Sequence, residues 1–227
     1  MKALVLFSGG IDSTTALALA INKYGKDRVI ALSVSYGQKH DKEIQAAIAV
    51  AEYYGVEHLF LDLRKIFTYS NCSLLKQSTE KIPEESYAKQ ISKTNGETPV
   101  STYVPFRNGL FLSSAASIAL SKDCEVIYYG AHADDSAGFA YPDCSPVFNQ
   151  AMNEAIWEGS GRQLKIEAPF VNVSKAEVVR IGLELNVPYE LTWSCYEGGE
   201  KPCGKCGTCI DRAAAFQANH VEDPALQ

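Results

Sequence analysis

The sequence predicts a doubly wound, mostly parallel α/β sheet followed by a small cysteine-bearing module. Three observations predict it. Short apolar runs alternate with stretches of helical spacing, the first run ends in a glycine-rich turn, and four cysteines fall together between 195 and 209. Residues 2–7, KALVLF, read as a buried strand, and 13–25 as a helix closed by Gly25. RVIALSVSYG at 28–37 is a second strand, 41–55 a helix with Ile44, Ala47, Ile48 and Ala51 on one face, and HLFLDL at 58–63 a third strand. Strands this apolar belong to a parallel sheet covered on both faces. Residues 64–100 are polar and rich in Lys, Glu and Ser. They read as an insertion, either a flap near the active site or a plain surface loop. The alternation resumes with a helix around 108–121, a strand at 125–130, a helix around 146–158, a strand near 164–168 and a helix over 174–185. The expected division is a sheet domain over 1–190 and a module with a closing helix over 191–227.

The chain has 227 residues, 46% apolar and 21% charged, as expected of a globular protein with a real core. Its net charge of −6 argues against a protein whose main role is coating nucleic acid. No apolar run approaches the roughly 20 residues that span a bilayer, and the run at 3–7 is too short for a signal-peptide core. The expected location is cytoplasmic, where the seven cysteines would be thiols or metal ligands and not a disulfide framework.

The first strand runs into SGGIDS at 8–13. Glycine admits positive φ and lets successive N–H groups converge. Ser8 and Ser13 add hydroxyls, and the following helix presents its positive end, so the turn makes an anion nest. A strand–helix turn that merely needed glycine is the bland alternative. The position favours a ligand, because doubly wound folds bind theirs outside the carboxyl ends of the strands. A Walker loop carries a lysine that follows the β and γ phosphates, and this loop has none. A nest without it suits an anion held whole and released, hence cleavage between the α and β phosphates.

SGGIDS resembles the signature of the N-type ATP pyrophosphatases, the PP-loop family, whose fold is the adenine nucleotide α-hydrolase-like sheet. The resemblance implies an ATP site at Phe7, Ser8, Gly9, Gly10, Ile11, Asp12, Ser13, Thr14 and Thr15. It gives Asp12 the role of placing Mg²⁺ or ordering the loop, and the backbone at Ser33, Val34 and Ser35 that of holding adenine.

WSCYEGGEKPCGKCGTC at 193–209 spaces Cys195, Cys203, Cys206 and Cys209 as C-x7-C-x2-C-x2-C. Four thiolates suit tetrahedral Zn²⁺ with no open position, a structural site. Lys201, Lys205 and Arg212 could soften the excess negative charge. An iron–sulfur cluster is the rival, although such runs place their fourth cysteine shortly after the third and position 213 is alanine. Cys72, Cys124 and Cys144 read as single thiols.

SYGQKH at 35–40, TYVPFRN at 102–108 and GAHADDSAGFAYPDCSPVF at 130–148, with the loop and the cysteines, resemble the 7-cyano-7-deazaguanine synthase family of queuosine biosynthesis. The resemblance covers nearly the whole chain and departs within 64–100. It implies an ATP-dependent conversion of 7-carboxy-7-deazaguanine and ammonia to the nitrile, without a stable nucleic-acid partner, in a homodimer. Residue chemistry fits. A guanine-like base offers N1–H and a 2-amino group to a carboxylate such as Asp135 or Asp143, and Phe106, Phe139 and Tyr141 could stack on it. Arg107, Lys39 and Lys175 are candidate cations for the substrate carboxylate and the phosphates; with Asp12, Arg107 and Lys175 form the expected catalytic set. Each has a plainer alternative: Asp134 and Asp135 as turn caps, Lys175 as a solvated helix residue, Arg107 as a structural partner, His40 and His132 as loop histidines. Two other readings compete, a PP-loop enzyme that thiolates tRNA and a zinc-ribbon binding module.

Overall fold

The computed structural model describes residues 1–226, so Gln227 of the expected C-terminal module lies outside the described residues. The strands are β1 (Ala3–Leu6), β2 (Val29–Ser35), β3 (Glu57–Asp62), β4 (Val126–Tyr128) and β5 (Lys165–Glu167). They form one sheet in the order β3-β2-β1-β4-β5, and every pairing is parallel. The helices are α1 (Ile11–Tyr24), α2 (Lys42–Tyr54), α3 (Tyr87–Thr94), α4 (Arg107–Ser121), α5 (Ala133–Ser136), α6 (Pro146–Gly159), α7 (Lys175–Glu184) and α8 (Gly207–Ala218). The doubly wound α/β sheet expected from the sequence is therefore present. Its order reverses between β1 and β4, the switch point where such sheets open a crevice.

Alternation along each strand explains the two cores. Ala3 and Val5 face a layer containing Leu17, Ala47, Val178 and Phe216, from α1, α2, α7 and α8. Leu4 and Leu6 face Leu112 and Ile156, from α4 and α6. Local signals set the helix starts: the Ser145 side chain accepts from Phe148 N ahead of Pro146, and the Ser174 side chain accepts from Glu177 N. α1 starts at Ile11, two residues before the expected 13, because the glycine turn feeds directly into it.

Part of residues 64–100 packs into the protein. Phe67, Leu74, Leu75 and Ile82 are buried with Tyr36, Val104, Cys195, Cys206 and Cys209 in a third cluster. Lys39 N donates to Leu74 O (2.9 Å) and Lys76 N to Gly37 O (2.8 Å), tying this segment to the turn after β2. Helix α3, within the segment, was not anticipated; the Ser86 side chain caps it by accepting from Lys89 N. No helix among the described residues is long and apolar enough to cross a membrane.

Arg212 is not a neighbour held for the cysteine charge. It is 4% exposed, and its guanidinium donates to Asp223 Oδ1 (2.8 Å), Thr192 Oγ1 (2.9 Å) and Tyr189 O (3.1 Å). Arg212→Met would leave Asp223 buried without its partner, which costs about 3–5 kcal/mol. A fall in unfolding free energy of that size is expected from denaturant titration; an unchanged value would show the pair to be dispensable.

Candidate active site

At the carboxyl ends of β1, β2 and β4 lies a cavity of about 240 Å³. Ser8, Gly10, Ile11, Asp12 and Ser13 form one end of it. Ser13 closes the turn: its Oγ accepts from Ser8 N (3.1 Å), lies 3.1 Å from Ser8 Oγ and donates to Gly10 O (3.3 Å). Gly9 has φ of +81°, and a Cβ there would sit 2.5 Å from Ala47 N, so α2 lies against the turn. This packing is the physical reason for the first glycine of SGG. Thr14 and Thr15 are fully buried, and Thr15 Oγ1 meets Tyr189 OH at 2.8 Å. Neither lines the cavity.

An ionic cluster stands beside the turn. Lys175 Nζ is 2.7 Å from Asp12 Oδ2, and His132 Nε2 lies 3.4 Å from Asp135 Oδ1 and 3.8 Å from Asp12 Oδ1. Burial raises the Asp12 carboxyl, but Lys175 and His132 more than offset it, so Asp12 is held below the usual carboxylate range. Burial pushes Lys175 down while Asp12 and Asp135 raise it further, and it stays charged. Asp134 serves elsewhere, its Oδ2 accepting from Lys175 N (2.8 Å) at the start of α7.

The lining also includes Tyr36, Gln38, Arg107 and Phe111, and Glu43 from the start of α2, whose backbone O lies against the Gly9 turn. The Arg107 guanidinium lies 5.2 Å from the Tyr36 ring centroid. Burial pushes the Glu43 carboxyl up to about 7, although Arg107 draws it down. The folded chain therefore keeps a proton that an unfolded glutamate, at the ordinary 4.5, has already released. Stability falls as pH rises from about 4.5 through about 7 and is level above that window. Glu43→Gln is expected to gain about 1–3 kcal/mol over the wild type at pH 8 and nothing below pH 4.5, measured by denaturant unfolding. An equal gain at both pH values would contradict this.

A phenol cluster closes a third side. Tyr87 OH and Tyr196 OH are 2.8 Å apart, and Tyr141 OH is 2.6 Å from Thr102 Oγ1. The inserted helix α3 thus contributes Tyr87 to the cavity, and the C-terminal segment contributes Trp193, Ser194, Tyr196, Thr208 and Asp211. A second cavity of about 320 Å³ shares Tyr87, Lys175 and Asp211 with the first. Cys144 lines the first cavity, where its Sγ accepts from Asn108 Nδ2 (3.2 Å); Cys72 and Cys124 are buried elsewhere.

Of the residues expected from sequence, Ser33, Val34, Arg107, Asp135, Tyr141 and Lys175 join the loop around the cavity. Ser35, Lys39, Phe106, Phe139 and Asp143 do not line it. Lys39 Nζ donates to Glu80 O (3.1 Å). Phe106 is 58% and Phe139 51% exposed. The Asp143 carboxylate accepts from Asn108 N (2.9 Å), capping α4 from a distant loop. Burial raises this carboxyl, with the Asn108 donor acting against it. His40 also lies off the cavity, its ring 6.5 Å from that of Trp193. Glu43, Tyr87 and Asp211 were not anticipated. Glu43 follows SYGQKH by three residues, the one local signal available; nothing in the sequence around Tyr87 or Asp211 marks them.

The four cysteine Sγ atoms lie within 4.8 Å of one another. Tetrahedral zinc at about 2.3 Å from sulfur sets S···S edges of about 3.8 Å, and Cys203 and Cys209 Sγ are 3.9 Å apart. Glu197 N and Cys203 N donate to Cys195 Sγ, and Lys205 N and Cys206 N to Cys203 Sγ, at 3.3–3.4 Å. Such donors stabilise thiolate, the ligand form of cysteine. The quartet fits a metal. Trp193 ties it to the glycine turn after β1, its N donating to Gly9 O (3.0 Å) and its Nε1 to Cys195 O (2.7 Å).

Residues 2–220 match the family model described as "Queuosine biosynthesis protein QueC". The chain is 42% identical to the 7-cyano-7-deazaguanine synthase of Archaeoglobus fulgidus, with 100% of this chain and 90% of the relative covered. It is also 42% identical to that of Caldicellulosiruptor saccharolyticus, with 99% and 94% covered. Among solved structures, the NMN synthetase of Francisella tularensis superposes with a TM-score of 0.54 over 97% of this chain and 78% of that one; at 16% identity it speaks for the fold alone.

Proposed function

This chain belongs to the queuosine biosynthesis protein QueC family, and from that premise we propose that it converts 7-carboxy-7-deazaguanine to 7-cyano-7-deazaguanine with ATP and ammonia. What carries the reading is full-length similarity to synthases of that name together with one cavity whose walls hold a phosphate-type nest and an aromatic, carboxylate-bearing face.

In this reading the turn at Ser8–Ser13 holds the β and γ phosphates, and adenine lies along Ser33 and Val34. Asp12 Oδ1, buried without a hydrogen-bond partner, suits Mg²⁺ carried in with the nucleotide. Lys175 and Arg107 supply positive charge where the phosphates and the acid meet. The substrate carboxylate attacks the α phosphorus, the α–β bond breaks, and pyrophosphate leaves into the nest. Ammonia adds to the activated carbon, and AMP departs as the amide forms. Removing the remaining oxygen as a second AMP requires another activation, so each nitrile consumes two ATP. Fixed N–H groups and charges aimed at the leaving oxygens supply most of the rate enhancement.

Zn²⁺ is the metal we assign to Cys195, Cys203, Cys206 and Cys209, in a structural role that completes the cavity wall through Trp193. Sulfur donors alone, with no open position, favour zinc over a harder ion. The same reading divides the chain at residue 190 and places a homodimer in the cytoplasm. Mass spectrometry of the product made from acid, ATP and ammonium tests the proposal. The nitrile is expected, with a transient amide. ATP turnover that ignores the acid but rises with added tRNA would replace this reading with the thiolating one.

A further inference from the structure

The geometry points to Glu43 as the residue that reads the donor edge of the heterocycle, the ring N–H and exocyclic amine of a guanine-type base. This rests on the function proposed above and names the specificity residue that the carboxylates expected from sequence leave unassigned.

Four carboxylates line the first cavity: Asp12, Glu43, Asp135 and Asp211. Asp12 is engaged by Lys175 at 2.7 Å and Asp135 by His132 at 3.4 Å. Asp211 sits on the wall shared with the second cavity and faces Lys175, His132, Asp135 and Asp134, the ionic corner beside the phosphate turn. Asp143 lies outside the cavity and caps α4. Glu43 stands beside the Tyr36 ring, and of the four it is the one whose carboxylate makes no hydrogen bond or ion pair and that lies outside the ionic corner, among the described residues. Arg107 from α4 and Tyr36 from the turn after β2 are the titratable groups that face it.

A half-buried acceptor without donors carries part of the desolvation cost of a buried one. Here burial holds the carboxyl protonated up to about 7 while no ligand is bound. Two N–H groups presented side by side on a flat ring satisfy both oxygens of an ionised carboxylate, and the Tyr36 ring beside it covers a face of the bicycle. The adenine edge offers an amine next to a ring acceptor, which a carboxylate repels. Glu43 therefore selects the acid over adenine at its part of the cavity wall.

The test compares 7-carboxy-7-deazaguanine with its analogue lacking the 2-amino group, in wild type and in Glu43→Gln. For wild type, kcat/KM is expected to favour the guanine-type acid by about 100-fold, the worth of hydrogen bonds to a charged group. In Glu43→Gln the preference should shrink to within about fivefold, through a raised KM for the acid with KM for ATP unchanged. A variant that keeps the wild-type preference, or one that loses ATP affinity instead, overturns the assignment. A second measurement needs no variant. At pH 6, binding of the guanine-type acid to wild type should release a proton to the buffer, seen calorimetrically in buffers of different ionisation enthalpy, and the analogue should release none. Equal release by both also overturns it. Failure of the proposed function looks different: wild type would then turn over neither acid.

Discussion

Lys175→Met is expected to lower carboxylate-dependent exchange of pyrophosphate into ATP by about 10²–10³, the usual consequence of removing one fixed charge from a developing anion. Lys175 is the only cation within ion-pairing distance of Asp12 in the described residues, apart from the imidazole of His132. Its loss also leaves Asp12 charged, largely enclosed and without its 2.7 Å partner. Stability should therefore fall too, by about 3–5 kcal/mol. The double variant Asp12→Asn/Lys175→Met separates the two effects. With both charges gone the stability should largely return, while the exchange rate should not. Exchange within fivefold of wild type in Lys175→Met would remove this lysine from the phosphate chemistry.

Cys206→Ser should have the larger structural effect. Bound zinc is expected to fall from about one equivalent per chain to a trace, and the unfolding free energy by at least ~3 kcal/mol, since a structural metal supplies folding energy directly. The defect should reach ATP before the heterocycle. Trp193 donates both to Cys195 O and to Gly9 O, so a loosened quartet releases the glycine turn proposed to hold the phosphates. KM for ATP is expected to rise before kcat is lost in partial chelation. Iron in place of zinc, with visible absorbance, would contradict the metal assignment. Retained metal with unchanged stability would contradict the structural role.

Much of this site was legible because its signals are local. A strand, two glycines and a helix start are contiguous at residues 3–15, and the cysteines span only 195–209. The parallel sheet followed from apolar runs whose two faces are both buried, as with Ala3 and Val5 against Leu4 and Leu6. The misplaced expectations are non-local. Asp143 is a carboxylate in a polar loop, well suited in type to reading a base, yet Asn108 N, 35 positions away, takes it as a helix cap. Arg212 looked like a neighbour of thiolates until the fold brought Asp223 and Thr192 to it. Tyr87 could not be singled out in a polar stretch, because only the packing of α3 puts its hydroxyl 2.8 Å from that of Tyr196, 109 residues away. Phe106 and Phe139 are aromatic in motifs that surround the cavity, but both sit at positive φ with exposed rings.

The most direct measurement is isotopic. The acid is prepared with ¹⁸O in its carboxylate and turned over with ATP and ammonium, and the nucleotide and phosphate products are weighed. If main-chain amides beside β1 hold a departing pyrophosphate, the label emerges in AMP and never in orthophosphate. Label in orthophosphate, with ADP as the nucleotide product, would mean attack at the γ phosphorus and would contradict that mechanism.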